Sequence, residues 1–494
     1  MITTGDIMIW MKQLVWIATI TVFGGVVAFP QQLHADDASA TAETKIKNVL
    51  FIVSDDLKAD VLGCYGDKIC KTPNIDKLAS EGMVFNRAYC QGMMCGPSRT
   101  SFMASRYLDA AGVSLGEHFK SNDFYTARVG KIFHMAVPDD IIAGTDGKDI
   151  PSSWTQRFNS SGQEAHTPGD YACLNLNKFT DKLQGRESSR MPNRMFVSVS
   201  YEGDGSDQPD YKTASKTIEL LREHKDKPFF IAAGLVRPHY PNVAPQHYFD
   251  LYPWQDIKLP EMVANDIDDI PKLGRARTMN SNNSIGKYPD NQKRMWAAYY
   301  ATVTFMDEQV GRIINELDRL GLRESTAIVL LSDHGYHLGE HTFWQKTNLH
   351  EDVSRVPLIV SVPGMKPGRT DAFTELLDIY PTLADLVGIS IPDEVQGKSF
   401  TPVLKDPSDF VKKAALSIIP HKGVALRTKG YGYMRYRSGE EELYDMLKDP
   451  KQFSNQVSNP EYAIILKQLQ KQLDSRLKEE GIILDKKTRK YSQQ

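Results

Sequence analysis

The chain has 494 residues, of which 41% are apolar and 24% are charged. This composition is ordinary for a folded protein, and the length suits two domains or one large domain with an appendage. The net charge of −3 excludes a global basic field that would recruit nucleic acid or a membrane surface. Any recognition of an anion therefore has to be local.

The N-terminal residues have the pattern of an export signal. Lys12 precedes the apolar stretch 14–29, which is short for a membrane span and is interrupted by Gly24 and Gly25. We predict a signal peptide over residues 1–35 and a flexible segment over 36–45. The mature protein would then be secreted or periplasmic, with no stable membrane span after cleavage. An uncleaved anchor helix is the alternative.

Export places the five cysteines in an oxidising compartment, where thiols pair. If one cysteine serves chemistry, the other four allow three pairings, and the sequence does not choose among them. The five are Cys64, Cys70, Cys90, Cys95 and Cys173.

Short apolar runs alternate with helix-like segments along most of the chain. The runs predict buried strands near residues 48–54, 228–235, 327–332 and 357–362. Helices are predicted from residue 72, over 292–320 before Gly321, and over 374–386 before Gly388. This alternation predicts an α/β fold with a large, mostly parallel sheet between helices.

The pattern changes near residue 405. Short β-like pieces separated by Gly423, Gly430 and Gly432 come first, and a charged helix follows near 462–479. We therefore predict a catalytic domain over 46–405 and a C-terminal subdomain over 406–494. The subdomain would hold a short antiparallel sheet and one helix.

Two predicted strands end in residues that can bind a metal. The first runs into Asp55 and Asp56, and another runs into Asp333 and His334. Ligands in open α/β sheets bind beyond the carboxyl ends of the strands. Three carboxylates meeting there would suit Ca²⁺ or Mg²⁺, although an Asp after a strand is by itself more often a turn or capping residue.

The most specific motif is Cys95-Gly96-Pro97-Ser98-Arg99. A buried or disulfide-bonded cysteine is the ordinary interpretation in an exported protein. The pentapeptide resembles the signature of type I, formylglycine-dependent sulfatases. The resemblance covers roughly residues 46–455, and its details are most similar to iduronate-2-sulfatases. Ser105 departs from it, because the family usually has Gly there.

Several further segments carry the resemblance. They are Val129-Gly130-Lys131-Ile132-Phe133-His134, Arg237-Pro238-His239-Tyr240-Pro241, Ser332-Asp333-His334-Gly335, Gly339-Glu340-His341, Trp344-Gln345-Lys346 and Glu442-Leu443-Tyr444-Asp445.

The resemblance implies an alkaline-phosphatase-like fold and the hydrolysis of a sulfate ester, on a sulfated sugar or uronic acid. It implies that a formylglycine-generating or anaerobic sulfatase-maturating enzyme converts Cys95 to 3-oxoalanine. The hydrate of that aldehyde would attack sulfur and form a covalent sulfo-enzyme. One Ca²⁺ per chain would be held by Asp55, Asp56, residue 95, Asp333 and His334.

The resemblance also implies roles for five further side chains. Arg99 would hold the hydrate, and Lys131 would lie beside it. His134 would take the proton that triggers sulfate release. His239 would protonate the leaving oxygen, and Lys346 would bind sulfate oxygens.

Each of these residue types has an ordinary alternative. A lone lysine is usually solvated, and a lone histidine is more often a satisfied structural group. His337 and His341 are interpreted as residues behind the site, and Trp344 as core or pocket wall. Four aromatic residues are candidates for a sugar pocket or for the core, namely Tyr240, Tyr248, Trp254 and Tyr336.

Two other functions stay open on sequence grounds. One is a choline-sulfatase-like enzyme or a phosphodiester, phosphonate or phosphate hydrolase of the same superfamily. The other is a non-catalytic protein that binds sulfated glycans on a sulfatase scaffold.

Overall fold

A computed structural model describes residues 46–109, 111–187, 190–485, 488 and 490–493. The predicted signal peptide and the predicted flexible segment lie outside the described residues.

The strands occur throughout the described chain and vary from two to ten residues in length. In chain order they are β1 (Asn48–Asp55), β2 (Met83–Phe85), β3 (Ala88–Tyr89), β4 (Tyr125–Gly130), β5 (Gln156–Phe158), β6 (Asp170–Cys173), β7 (Lys178–Thr180), β8 (Val197–Tyr201), β9 (Phe229–Pro238), β10 (Asn242–Pro245), β11 (Thr326–Ser332), β12 (His337–Leu338), β13 (Trp344–Gln345), β14 (Arg355–Val356), β15 (Leu358–Ser361), β16 (Gly368–Thr370), β17 (Thr374–Glu375), β18 (Ala414–Ile419), β19 (Gly423–Thr428), β20 (Tyr431–Tyr436), β21 (Glu441–Asp445), β22 (Ile482–Leu484) and β23 (Tyr491–Gln493).

The α-helices lie between these strands. In chain order they are α1 (Pro73–Ser80), α2 (Cys95–Ala104), α3 (Leu115–Ser121), α4 (Asp139–Ala143), α5 (Pro209–His224), α6 (Gln246–Phe249), α7 (Pro289–Arg319), α8 (Glu351–Ser354), α9 (Ile379–Val387), α10 (Thr401–Lys405) and α11 (Ala463–Glu479).

The main sheet has eight strands in the order β16-β2-β15-β11-β1-β9-β4-β5. Strands β11, β1, β9, β4 and β5 run parallel to one another, and β15 runs antiparallel to both β11 and β2. The predicted mixed, mostly parallel sheet is confirmed. Parallel strands of this kind require helical cover on both faces, because neither face can be left to water.

Alternate side chains of β1 point to opposite faces of the sheet and pack into two separate apolar cores. Leu50 and Ile52 pack into one apolar cluster with residues of α1, α5 and α7. Phe51 and Val53 pack into a second cluster with residues of α2, α3 and α9. All eight residues of β1 are buried, as the unbroken apolar run at this position predicts.

The register of the central strands aligns their carboxyl ends. Ser54 on β1 lies opposite Ser332 on β11, so that the residues that follow the two strands leave the sheet side by side. Gly130 at the end of β4 lies opposite Gly234 on β9. A Cβ on Gly234 would stand 2.2 Å from the backbone of Lys131, so only glycine permits this close approach.

The predicted helices are present with shifted ends. Helix α7 extends over 31 residues and ends before Gly321, whose φ is 70°. The predicted helix over 374–386 begins later, because β17 and a 3₁₀ turn occupy its first residues and α9 starts at Ile379. Gly388 caps α9 in the left-handed conformation, as the sequence predicts.

The C-terminal residues form the predicted small unit. Strands β18 to β21 make a four-stranded antiparallel sheet. Leu469, Leu473 and Leu477 of α11 are buried in a cluster with residues of that sheet. A short hairpin of β22 and β23 was not predicted.

In the described part of the chain, none of the helices combines the length and apolarity needed to cross a membrane. All five cysteines carry free thiols, and Cys95 is one of the four that are buried.

Candidate active site

Four neighbouring parallel strands deliver the predicted site residues to one edge of the sheet. Asp55 ends β1, and Asp333 directly follows β11. Lys131 directly follows β4, and His239 directly follows β9. The carboxyl ends of adjacent parallel strands share one edge, so these four side chains meet although they are far apart in sequence.

Cys95 lies at the centre of this group. It is the first residue of α2, where free backbone N–H groups and the helix dipole favour negative charge. Its Sγ lies 3.1 Å from Asp55 Oδ1, 3.1 Å from Lys346 Nζ and 3.4 Å from His334 Nε2. The sulfur marks the position that an oxygen of a modified residue 95 would take.

Asp55 and Asp333 are held by cations that are themselves buried. Lys131 forms an ion pair with Asp55 Oδ2. Arg99 donates from Nε to Asp333 Oδ2 at 2.8 Å and from Nη1 to the carbonyls of Lys131 and Ile132. Its Nη2 is buried without a hydrogen bond and lies 3.8 Å from Asp55. This free donor is available to a group at residue 95.

Asp56 faces the other side of the cysteine. Its φ of 66° turns the chain sharply after β1 and brings a second carboxylate into the site. Lys346 Nζ lies 2.5 Å from Oδ1, His334 Nδ1 lies 3.4 Å from Oδ1, and His239 Nε2 lies 3.6 Å from Oδ2. Asp56 thus contacts Lys346 and His239, which the resemblance places at the sulfate, and His334, which the resemblance assigns to the metal.

The close packing of charge shifts several pKa values. Burial raises the pKa of Asp55, but Lys131 and the other nearby cations outweigh it and bring the pKa well below its ordinary value. Burial, together with Asp55 and Cys95, raises the pKa of Asp56 to about 7 against the effect of Lys346. Burial lowers the pKa of His334, yet Asp333 and Cys95 bring it to about 9.

The two catalytic-histidine candidates are neutral groups. Burial and then Lys131 lower the pKa of His134 to about 4, and its Nδ1 is buried without a hydrogen bond. Burial and then Lys346 bring the pKa of His239 well below its ordinary value. His239 Nδ1 donates to the carbonyl of Tyr240 at 2.6 Å, which directs Nε2 toward Asp56. A neutral imidazole with a free nitrogen can accept a proton.

Ser105 keeps the turn that glycine would otherwise make. It caps α2 in the left-handed conformation with a φ of 52°, which costs a residue with a Cβ some strain. The Ser105 hydroxyl donates to the carbonyl of Leu377 at 2.6 Å and accepts from the amide of Gly397 at 3.1 Å. These two hydrogen bonds offset the strain, so the departure from the family signature does not disturb the start of α2.

The donor set around Cys95 fits a hard divalent cation. Ligand atoms of Asp55, Asp56, Cys95 and His334 lie within 4.8 Å of one another. Asp56 Oδ2 is buried without a hydrogen bond, and Asp55 Oδ2 is buried with the ion pair to Lys131 as its contact. Carboxylate oxygens of this kind are the ligands that Ca²⁺ and Mg²⁺ prefer. Asp333 lies beside this group, with Oδ1 3.6 Å from His334 Nε2.

The other histidines named from the sequence point elsewhere. His341 Nδ1 pairs with Asp266 Oδ2 at 2.9 Å, and His337 Nε2 meets the amide of Asn348. His337 lies on β12, and His341 has a left-handed backbone. The two therefore do not share a helix face.

Most of the aromatic candidates belong to the core. Trp344 is buried and packs edge-on against Phe196, and Tyr336 stacks on Tyr299. Tyr240 is the aromatic residue that reaches the site, because its ring lies 4.1 Å from that of His239, between ring centroids.

The sequence did not reveal the residues that hold His239. Arg237 is fully buried, pairs with Glu164 at 2.9 Å, and donates to the carbonyl of His239 at 3.1 Å. Asp210 accepts from the backbone amides of Val236 and Arg237. Arg237 belongs to a segment that the sequence singled out, whereas no local pattern marks Glu164.

Comparisons with known proteins agree with this geometry. The sequence pattern of the Sulfatase family matches residues 47–389, and that of the N-sulphoglucosamine sulphohydrolase C-terminal region matches residues 339–479. Human iduronate 2-sulfatase is 32% identical over 419 residues, which cover 74% of this chain and 73% of the relative.

Two solved structures share the fold. A protein in complex with its substrate D-glucosamine-2-N,6-O-disulfate has a TM-score of 0.68 at 23% identity, covering 88% of this chain and 98% of that one. A phosphonate monoester hydrolase of Agrobacterium radiobacter has a TM-score of 0.72 at 21% identity, covering 91% and 99%.

The fold and the site define an alkaline-phosphatase-like hydrolase. The extent of the sequence match goes further, and the chain belongs to the sulfatase family. It is an enzyme that hydrolyses sulfate esters.

Proposed function

We propose that this enzyme uses a formylglycine made from Cys95, together with one Ca²⁺, to hydrolyse the sulfate ester of a sulfated sugar or uronic acid. The proposal is supported by one observation above the others. The side chain of residue 95 lies within hydrogen-bonding reach of a carboxylate, an imidazole and an ammonium at the carboxyl edge of the sheet.

The balance of charge supports an anionic substrate. Three carboxylates face three fixed cations in the buried site, namely Asp55, Asp56 and Asp333 against Arg99, Lys131 and Lys346. A divalent ion added to this balanced set leaves the site net positive, which favours a sulfate monoester. Charge stabilisation of this kind is usually the largest single contribution to catalysis.

Asp55, Asp56, residue 95, Asp333 and His334 would hold the ion. When bound, Ca²⁺ would neutralise sulfate oxygens and favour ionisation of the nucleophile. Arg99 Nη2 would orient the hydrate of residue 95 with its free donor.

The first step transfers the sulfuryl group to residue 95. One hydroxyl of the hydrated aldehyde gives up its proton to water, and the resulting alkoxide attacks sulfur in line while the bond between sulfur and the leaving oxygen breaks. Lys346, an ammonium next to residue 95, binds the sulfate oxygens. His239 gives the leaving oxygen a proton, and for this its Nε2 must first be protonated, which the arriving anion favours.

The second step releases sulfate without attack by water on sulfur. His134 takes the proton of the remaining hydroxyl, the bond between the carbon of residue 95 and the sulfate oxygen breaks, and the aldehyde reforms. Water then adds to the aldehyde and restores the hydrate. A thiol or a serine hydroxyl has no second oxygen for this elimination, so unmodified Cys95 would leave the enzyme nearly inactive.

The cellular setting follows from the same proposal. A formylglycine-generating or anaerobic sulfatase-maturating enzyme would act on Cys95 before folding, because the thiol is buried in the folded chain. The N-terminal pattern supports export, to the periplasm or out of the cell. A sulfated carbohydrate is the proposed substrate partner, and the sugar disulfate bound by a protein of the same fold is in keeping with it.

Mass spectrometry of the peptide that contains residue 95, from protein made in its own host, tests the proposal. We expect a mass that corresponds to an aldehyde in place of the thiol, and turnover of an aryl sulfate far above that of the matched aryl phosphate or phosphonate. An unmodified thiol in fully active protein would overturn the formylglycine assignment. Preferred turnover of phosphonate would favour the hydrolase alternative, for which the shared fold is the supporting observation.

A further inference from the structure

A cluster of basic side chains lies beside the segment that carries Lys346, outside the group around Cys95. It draws on three separate parts of the chain, and we call it the basic rim. Its members are Arg277, His421, Lys422 and Lys490.

Hydrogen bonds fix the basic rim next to the segment that carries Lys346. Lys422 Nζ donates to the carbonyl of Thr347 at 2.8 Å and to that of Arg275 at 2.9 Å. The Thr278 hydroxyl donates to the carbonyl of Trp344 at 2.7 Å. The loop that carries Arg277 and the hairpin that carries Lys422 therefore both hold residues 344–347, and Lys346 extends from that segment to Cys95.

The remaining members of the basic rim are brought in by the C-terminal subdomain. His421 and Lys422 lie in the turn between β18 and β19. The amide of Tyr491 donates to the carbonyl of Pro420 at 2.9 Å, which places Lys490 beside this turn. The amide of Arg437 donates to the carbonyl of Lys422 at 2.9 Å, so a further cation lies behind it.

Three of the four side chains are exposed and uncommitted. Arg277, His421 and Lys490 are exposed, and within the described residues their side chains have no ion pair or hydrogen bond. Glu442 is the acid that acts on Lys422, and it is itself bound by His350, Tyr436 and Tyr444. Among the described residues, no ion pair therefore neutralises Arg277 or Lys490, although Asp485 lies across the hairpin from Lys490.

The electrostatic effects agree with this arrangement. Partial burial lowers the pKa of His421, and Lys422, Arg437, Lys490 and Arg277 lower it further. Burial, and then Arg277, lowers the pKa of Lys422 to about 8. Cations placed this close together repel one another, and a bound anion would relieve the repulsion.

We propose that Arg277, His421, Lys422 and Lys490 form a second anion subsite, which binds a carboxylate or a further sulfate of an acidic saccharide whose scissile sulfate lies at residue 95. This inference rests on the proposed function and narrows its substrate class to sugars with at least two negative groups. A neutral sugar with one sulfate would leave the basic rim unused.

Competition against an aryl sulfate tests the subsite in the mature, Ca²⁺-loaded enzyme. The competitors are galactose monosulfate, galactose disulfate and a monosulfated uronic acid. We expect both dianionic sugars to inhibit on the order of tenfold more tightly than the monosulfate, as two or three exposed ion contacts would give. If only the monosulfated uronic acid inhibits more tightly than the monosulfate, the subsite binds a carboxylate. If only the disulfate does so, the subsite binds a sulfate.

Matched variants test whether the basic rim causes the tighter inhibition by dianionic sugars. The double variant Arg277→Gln/Lys490→Gln should remove most of it, and His421→Gln should remove part of it, while KM for the aryl sulfate stays within about twofold. Lys422 is left in place, because its side chain holds two backbone carbonyls. Lys471→Gln, which removes an exposed charge from α11, is the control and should change nothing.

Two results would overturn the subsite. In one, the dianionic sugars compete no better than the monosulfate with the unaltered enzyme. In the other, their advantage survives in all the rim variants. Failure of the proposed function looks different, because the mature enzyme would then not turn over the aryl sulfate at all.

Discussion

Two buried clusters of charge in this protein are built in opposite ways. In the cluster around Cys95, Asp56 Oδ2 and Arg99 Nη2 are buried without a hydrogen bond, and Asp55 Oδ2 and Lys131 Nζ have only each other as an ion pair. The second cluster joins Lys412 to Glu375 and Asp378, between the main domain and the C-terminal sheet.

In the Lys412 cluster every carboxylate oxygen has a donor. Glu375 Oε1 accepts from the amide of Leu416 at 2.7 Å, and Oε2 accepts from Tyr107, Lys412 and Arg476. Asp378 accepts from the amides of Glu375 and Lys398. The carboxylates of the Lys412 cluster have all their hydrogen-bond partners and are part of the architecture, whereas the open atoms of Asp56 and Arg99 in the Cys95 cluster are available to a ligand. The four predictions below test this difference.

Removal of the metal should have the largest effect. Exhaustive treatment with a chelator should abolish aryl-sulfate turnover. Without the proposed ion, the buried carboxylates would repel the negatively charged sulfate. Ca²⁺ should restore turnover and should raise the thermal midpoint, since an ion that binds only the folded state stabilises it. Full activity of enzyme shown to be metal-free by elemental analysis would contradict the ligand assignment.

Lys346→Met should lower kcat/KM for an aryl sulfate roughly 10²- to 10³-fold, the size of effect seen when one charge-stabilising donor is lost. The thermal midpoint in Ca²⁺ should change little, because the bound ion still compensates Asp56. Steady-state kinetics and a thermal melt on the same preparation separate the two effects. A large loss of stability with unchanged kinetics would make Lys346 a structural residue.

Lys412→Met is the matched substitution in the other cluster. It leaves two buried carboxylates without their shared cation, and we expect a loss of about 3–5 kcal/mol in the free energy of unfolding. In protein that remains folded at low temperature, kcat should be unchanged. Urea unfolding measures the loss, with Lys471→Met on the exposed side of α11 as control. A cost near zero would mean that the two clusters do not differ in kind.

Tyr107→Phe should have the smallest effect. It removes the hydrogen bond from Tyr107 to Glu375 Oε2 and the one that Tyr107 accepts from Arg476, while Lys412 and Arg476 still pair with Glu375. We expect a loss of about 1–2 kcal/mol, measured by the same urea titration. If this variant unfolds as readily as Lys412→Met, Lys412 and Arg476 are not sufficient to hold Glu375 without Tyr107.

Much of the fold could be predicted because its signals are local. The continuous apolar run of β1, the capping Gly321 and Gly388, and the glycine-separated strands of the C-terminal sheet all reflect the immediate chain. The start of α9 was missed, since residues 374–378 are held by pairing with β3 and by contacts to Lys412. Those contacts are tertiary, and no local sequence pattern predicts them.

The sequence by itself determined the family, the fold class, and the residue types that converge on residue 95. It could do so because a motif of adjacent residues and strand-end carboxylates are properties of neighbours in the chain. Only the tertiary structure decided which charges are satisfied and which are left open. That distinction depends on distances between atoms from strands as remote as β1, β4, β9 and β11, together with the burial that makes an unpaired charge costly.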